Sequence, residues 1–302
     1  MLRHIAVVTM LLFCTGHAAS AADPARCRDL VRRYEASKSQ ITAIEVSLTL
    51  FAAADRNCVD LATRLLDDGA SAEARDRFGA RPLSHAARSG NLAMVDLLLQ
   101  RGAPIDGRNL AGATALYVAA ERGQTDVVQR LIDRGADVNL TGRSGTSPLA
   151  AAAFAGRNEI VQLLLAHGAD ARAVDETGKA PIVYAAAAGD LDIVRQLLAR
   201  NIDINARYAN DLTLLMWASG PDQNIPEAQA LEVVSYLINA GAHIDDRDAR
   251  GRTALMIAAE GNHATIAERL LAHGADPSLH DKAGKRAADL TSLTALRQTL
   301  TR

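Results

Sequence analysis

Seven stretches of this chain stand in one register. Aligned on the residue before each first helical segment, the marks are Gly79, Gly112, Gly145, Gly178, Asp211, Gly251 and Gly284, at steps of 33, 33, 33, 33, 40 and 33 residues. A second set, Gly69, Gly102, Gly135, Gly168, Asn201, Gly241 and Gly274, keeps the same steps. Two independent landmark sets with one period mean stacked copies of one supersecondary unit, since self-similarity at a fixed period of about 20–50 residues is the signature of repeat architectures.

Each copy spells out two helices. Thr114, Ser147, Thr213 and Thr253 stand where a hydroxyl can cap the first helix, and Pro82, Pro148 and Pro181 stand at its first turn, where a missing N–H costs nothing. Paired alanines follow (Ala86-Ala87, Ala119-Ala120, Ala152-Ala153, Ala185-Ala186, Ala258-Ala259) and allow close helix approach. Small residues have to carry the interior, because aromatics make up only 3% of the 302 residues. The second helix shows an apolar stripe at helical spacing, as in Val127-Val128-Leu131-Ile132. Glycine then ends it in the left-handed conformation, with Asn201 as the one substitute. A single unit of this kind cannot bury its own stripe, so the units must stack.

The pattern G-x-T-P-L-H-x-A-A-x-x-G followed by V-V-x-x-L-L-x-x-G-A-D, matched from 79 to 283 and in diverged form from about Val46 to Phe78, resembles the ankyrin-repeat family. The resemblance implies an all-α ankyrin-repeat solenoid of antiparallel helix pairs. Hairpin-like loops project from the stack, and loop tips and first helices form a concave face. One departure stands out. The family's histidine is replaced by Ser84, Tyr117, Ala150, Val183, Met216 and Met256, so its bracing hydrogen bond to threonine is not expected here.

The ends differ from the repeats. Residues 1–21 read as a secretory signal peptide: Arg3 and His4, a ten-residue apolar run from Ile5 to Cys14, then small residues ending in Ala21. Ten residues rise only about 15 Å as a helix, too little for a membrane anchor. Residues 22–45 read as an amphipathic capping helix with Leu30, Val31 and Tyr34 toward the first unit, 46–283 as seven repeats, and 284–302 as a closing half-unit. Export leaves Cys27 and Cys58 as the only cysteines, and an even pair in an exported chain favours a disulfide, the alternative being two unrelated small apolar residues.

Chemistry is sparse. The formal net charge of −2 argues against a dominant basic surface for nucleic acid. No phosphate loop, dinucleotide fingerprint or nucleophile elbow occurs. Of the six histidines beyond the leader, His167 and His273 sit at helix ends as caps, and His263, His273 and His280 match no zinc spacing. No cofactor or metal is expected. The binding candidates are exposed apolar, aromatic and arginine side chains on loop tips and first helices: Phe78, Leu110, Arg143, Phe154, Tyr208 and Trp217. Arg75, Arg77, Arg247 and Arg250 are further loop arginines, and for Trp217 and Tyr184 packing between repeats is the competing role.

The sixth copy is seven residues too long, within "SGPDQNIPEAQALE". Its apolar spacing predicts a second helix that starts early, with the added turn and loop beside Trp217, either as tolerated decoration or as a wall of the concave face. The reading that follows is a monomeric, non-enzymatic scaffold or accessory protein of the periplasm that binds another protein and inserts into no membrane. A secreted factor acting on a host protein is the alternative, and an enzyme with an unrecognised site a more remote one.

Overall fold

The computed structural model describes residues 24–220 and 224–301. The expected leader, residues 1–21, lies outside the described residues, as do 221–223 within the long copy. A capping helix α1 (Pro24–Ser37) precedes helix pairs α2 (Ala43–Asp55) and α3 (Val59–Asp67), α4 (Pro82–Ser89) and α5 (Leu92–Gln100), α6 (Ala115–Arg122) and α7 (Thr125–Asp133), and α8 (Pro148–Phe154) and α9 (Asn158–Ala166). The series continues with α10 (Pro181–Ala187) and α11 (Leu191–Leu198), α12 (Leu214–Ser219) and α13 (Glu227–Asn239), and α14 (Ala254–Glu260) and α15 (Ala264–Ala272). It closes with two short helices, α16 (Ala287–Leu290) and α17 (Thr294–Leu300).

The hydroxyl caps form as the spacing predicts. Thr114, Ser147, Thr213 and Thr253 accept from the backbone N–H groups of Tyr117, Ala150, Met216 and Met256 at 3.1–3.4 Å. Pro82, Pro148 and Pro181 open α4, α8 and α10. At the second stops the requirement is conformational and not steric. Gly168 has φ +84 with open space where a Cβ would stand, and Asn201 takes the same left-handed conformation at φ 57. Asparagine tolerates that region best after glycine, which is why the period survives the exchange.

First helices pack on first helices and second helices on second helices, giving two layers. The leucine or isoleucine of each first helix (Leu83, Leu116, Leu149, Ile182, Leu215, Leu255) is buried, as are the alanine pairs behind it. With alanines at these positions the first helices of the regular copies approach more closely than the second helices, whose contacts run through Val95, Leu98, Val128, Leu131 and their counterparts. One continuous core runs from Tyr34 to Leu300.

At the front, Tyr34 is 3% exposed and donates its hydroxyl to Asp68 at 2.7 Å, and Cys27 and Cys58 are joined by a disulfide across a sequence separation of 31. Helix α2 is longer than the other first helices. It opens with a reciprocal cap in which Thr42 accepts from the Glu45 N–H and Glu45 accepts from the Thr42 N–H, and it carries Ile44 and Leu48 out over the loop side. At the back, Leu296 and Leu300 cover the last pair. No helix among the described residues is long and apolar enough to cross a membrane.

Candidate interaction face

The loops are rigid for a reason written in side chains. Asp76, Asn109, Asp175, Asp248 and Asp281 each accept two backbone N–H groups, from the residues two and four positions on, at 2.8–3.1 Å. This is the Asx turn, and it gives every such loop one shape. The register holds Gly142 and Tyr208 in the two remaining loops, and those two alone form one-turn 3-10 segments, at Arg143–Gly145 and Ala209–Asp211, with Ser144 and Asn210 left-handed. At Gly142 the cause is visible: a Cβ there would stand 2.9 Å from the Tyr117 ring.

Neighbouring loops are stitched together. Leu110, Glu176, Ala209, Ala249 and Lys282 donate backbone N–H groups to the preceding loop at 2.9–3.1 Å. Arg75, Arg108, Arg207 and Arg247, all in one register, donate to carbonyls of the following loop at Arg108, Thr141, Arg247 and His280. Arg75 and Arg247, read from sequence as contact residues, thus also hold the loops in line. The result is a stiff comb standing beside the first helices.

Two apolar clusters face outward from this frame. The first is a cleft of about 920 Å³ between the front of α2, the loop from Ser71 to Phe78, and α4. Ile44 (73% exposed), Leu48 (59%) and Phe78 (59%) line it, with Phe51 at its floor and Leu110 on the next loop tip lying against Gly79. His85 forms the inner wall. Its Nδ1 stands 3.0 Å from Asp55 and its Nε2 3.1 Å from Asp76, while Arg88 bonds Asp55 at 2.9 Å and the Phe51 ring lies 5.0 Å away. Burial alone would lower the His85 pKa, but the two carboxylates outweigh it and raise it overall. Burial likewise opposes ionisation of both aspartates. His85 and Arg88 hold Asp55, and backbone N–H groups with His85 hold Asp76, below the usual carboxylate range. Carboxylates facing both ring nitrogens favour the imidazolium, and the Arg88 guanidinium, 3.1 Å from Nδ1, opposes it.

The second cluster crosses the middle of the stack. Phe154, 67% exposed, meets the Tyr184 ring edge-on at 5.9 Å. Tyr184 donates its hydroxyl to Asp175, and burial together with that bond pushes its pKa up to about 12. The Lys179 ammonium lies over both Tyr184 and Trp217, at 5.7 and 5.3 Å. Phe154, Tyr184 and Trp217 thus form a short aromatic strip, with the latter two partly packed between repeats and Phe154 free.

The sequence-derived candidates therefore divide. Phe78 and Leu110 meet on adjacent loop tips; Phe154 and Trp217 share the central strip. Arg143 is exposed on its 3-10 turn, and Tyr208 is half-buried at the foot of its loop, where its backbone pairs with Leu212. Sequence reading passed over Ile44, Leu48 and His85. His85 occupies the register position of Tyr184 and Trp217, which was the signal that it faces the same side.

The long copy does start its second helix early. Helix α13 has 13 residues where α11 has 8, and the added turn reaches the next unit: Glu227 accepts from the Thr265 and Ile266 N–H groups at 3.0 and 3.3 Å, capping α15. On the loop side the Trp217 ring meets the Lys179 ammonium at 5.3 Å.

Family models for ankyrin repeats match the chain in two blocks. One, described as ankyrin repeats (3 copies), covers residues 50–142 and 139–208, and another, described as ankyrin repeats (many copies), covers residues 228–290. No curated protein matches the chain.

Proposed function

The chain belongs to the ankyrin-repeat family, a protein–protein interaction module, and from that premise we propose that it is a non-enzymatic scaffold or accessory protein that holds a partner protein on its concave face. The observation that carries this reading is the row of large apolar side chains left open on one face: Phe78, Leu110 and Phe154 are 59–79% exposed on helices and on loops stitched to their neighbours by backbone bonds. Exposed rings on a pre-ordered surface lose little conformational entropy on binding, which is what makes such residues interface anchors.

The proposed compartment is outside the cytoplasm, in the periplasm. Two features support it: the leader-like residues 1–21, and the bond between the two remaining cysteines, since disulfides persist in oxidising compartments. The test joins both parts. The native protein should begin near Ala22 by mass spectrometry and should retain a discrete partner from an envelope fraction. Phe154→Ala should weaken that retention by about 1–3 kcal/mol without changing the fold. An intact Met1 on the native protein overturns the compartment, and equal retention by Phe154→Ala overturns the assigned face.

A further inference from the structure

We propose that the cleft between α2 and the Ser71–Phe78 loop is a docking groove for an acidic amphipathic helix of the partner protein. The inference rests on the protein-binding reading above but assigns a separate site with its own chemistry.

Shape comes first. Ile44, Leu48 and Phe51 stand at i, i+4 and i+7 on α2, a straight row of about 10 Å along one helix face. This face exists because α2 runs forward beyond the start that other first helices use, where no loop from a preceding unit covers it. Phe78 forms the opposite wall. A ridge of this kind accepts the apolar ridge of another helix. Strand addition has little to add to here. The loop's Asp76, Phe78, Gly79 and Ala80 backbone groups are taken by its own turn and by Leu110, and α2 offers only side chains.

Charge selects the partner's sign. Arg75, Arg77 and Arg88 line the groove. Arg77 stacks on Phe78 at 4.6 Å and Arg75 reaches a backbone carbonyl, and among the described residues neither has a carboxylate within ion-pair distance. Of the carboxylates around it, Asp76 on the lining and Asp55 behind it are both held by His85, and Asp55 also by Arg88. The lining carries three guanidiniums, Arg75, Arg77 and Arg88, against one carboxylate, Asp76, a net of +2 with His85 left uncounted, in a chain whose formal charge is −2. A helix with leucine or phenylalanine one turn apart and flanking aspartate or glutamate satisfies both the ridge and the arginines.

The test is a selection of phage-displayed random 16-residue peptides on the whole protein, with Leu48→Glu as the counter-selection target. Leu48 is 59% exposed, so its substitution leaves the core untouched, and circular dichroism checks this. Enriched peptides should place large apolar residues three or four apart among acidic ones. Their affinity should fall by about tenfold or more on Leu48→Glu and on Arg75→Glu with Arg77→Glu, and should weaken as salt is raised. Peptides lost on Phe154→Ala but kept on Leu48→Glu overturn the groove while sparing the broader protein-binding reading. Basic consensus sequences, or no enrichment, overturn it as well. Retention on phosphatidylglycerol vesicles that Leu48→Glu abolishes, with no peptide enriched, replaces it with a lipid surface.

Discussion

A single imidazole ties two units and a loop together at the front of the stack. Asp55 ends α2, His85 lies on α4, and Asp76 shapes the loop between them. Because the folded-state pKa of His85 is raised, its contribution is fully present below about pH 6.5, the ordinary histidine value, and is lost as pH rises through the higher folded value. Asp55 and Asp76 are depressed, so theirs is present above the ordinary carboxylate range and lost as pH falls through the lower folded values. We therefore expect His85→Gln to cost about 1–3 kcal/mol near pH 6 and less as the solution becomes alkaline. Urea titrations across pH read this difference directly, and a cost that stays constant to pH 9 sinks the imidazolium assignment. A second residue-scale prediction concerns Gly142, the loop position robbed of its Asx turn by the Tyr117 ring. Gly142→Asp alone should destabilise by about 1–3 kcal/mol through overpacking. In a Tyr117→Ala background the same change should cost far less, since the turn can then form. A double-mutant cycle with no coupling between the two positions contradicts this account.

Among elements, the lengthened α13 shows how an insertion becomes structural. Its extra turn places Glu227 on the N-terminus of α15, where a carboxylate meets two unpaired N–H groups and the positive end of the helix. Glu227→Ala should cost about 0.5–2 kcal/mol, seen as a lower urea midpoint with an unchanged slope. A neutral result would make the contact incidental and return the insert to decoration. The sixth unit also shows where reading a sequence succeeds and stops. The early start of α13 was legible, because Ala230-Leu231 stand one helical turn ahead of Val234 and Leu237, and the caps at Thr114 and Ser147 were legible for the same reason: each depends on residues within one turn of it. The cap on α15 was hidden, since Glu227 and Thr265 are 38 positions apart and belong to different copies. His85 was hidden likewise, its partners lying 30 and 9 residues away. The readable part of the candidate face was Phe78, Leu110, Phe154 and Trp217. The α2 groove was not readable, because its first unit departs from the shared pattern where Ile44 and Leu48 appear.

Across the whole molecule, stability should follow from neighbours alone. Each helix pair touches the pairs before and after it, so a repeat stack behaves as a sum of unit and interface terms and frays from its ends. The front end is the one held covalently. Closing a loop across a separation of 31 residues is worth about 3–4 kcal/mol in the chain-entropy picture. That amount should not spread evenly along the chain. Reduction frees α1 from the start of α3, and what remains there is the Tyr34 bond to Asp68, exposed ion pairs of Lys38 with Asp68 at 2.7 Å and of Glu35 with Arg64 at 3.1 Å, and a small apolar contact through Leu30 and Val31. Helices α1 to α3 should then open locally, while α8 to α11, which are flanked by intact pairs on both sides, keep their protection. Hydrogen exchange followed by mass spectrometry distinguishes the cases: faster exchange confined to residues before about Asp68 on reduction fits a stack of coupled units. Acceleration of equal size through α8 to α11 would mean one cooperative block in which the bond supports the entire fold. The distinction bears on function, because the groove lined by Ile44, Leu48 and Phe78 sits on the units the disulfide secures. A reducing environment should loosen that groove first and leave the strip of Phe154, Tyr184 and Trp217 in place.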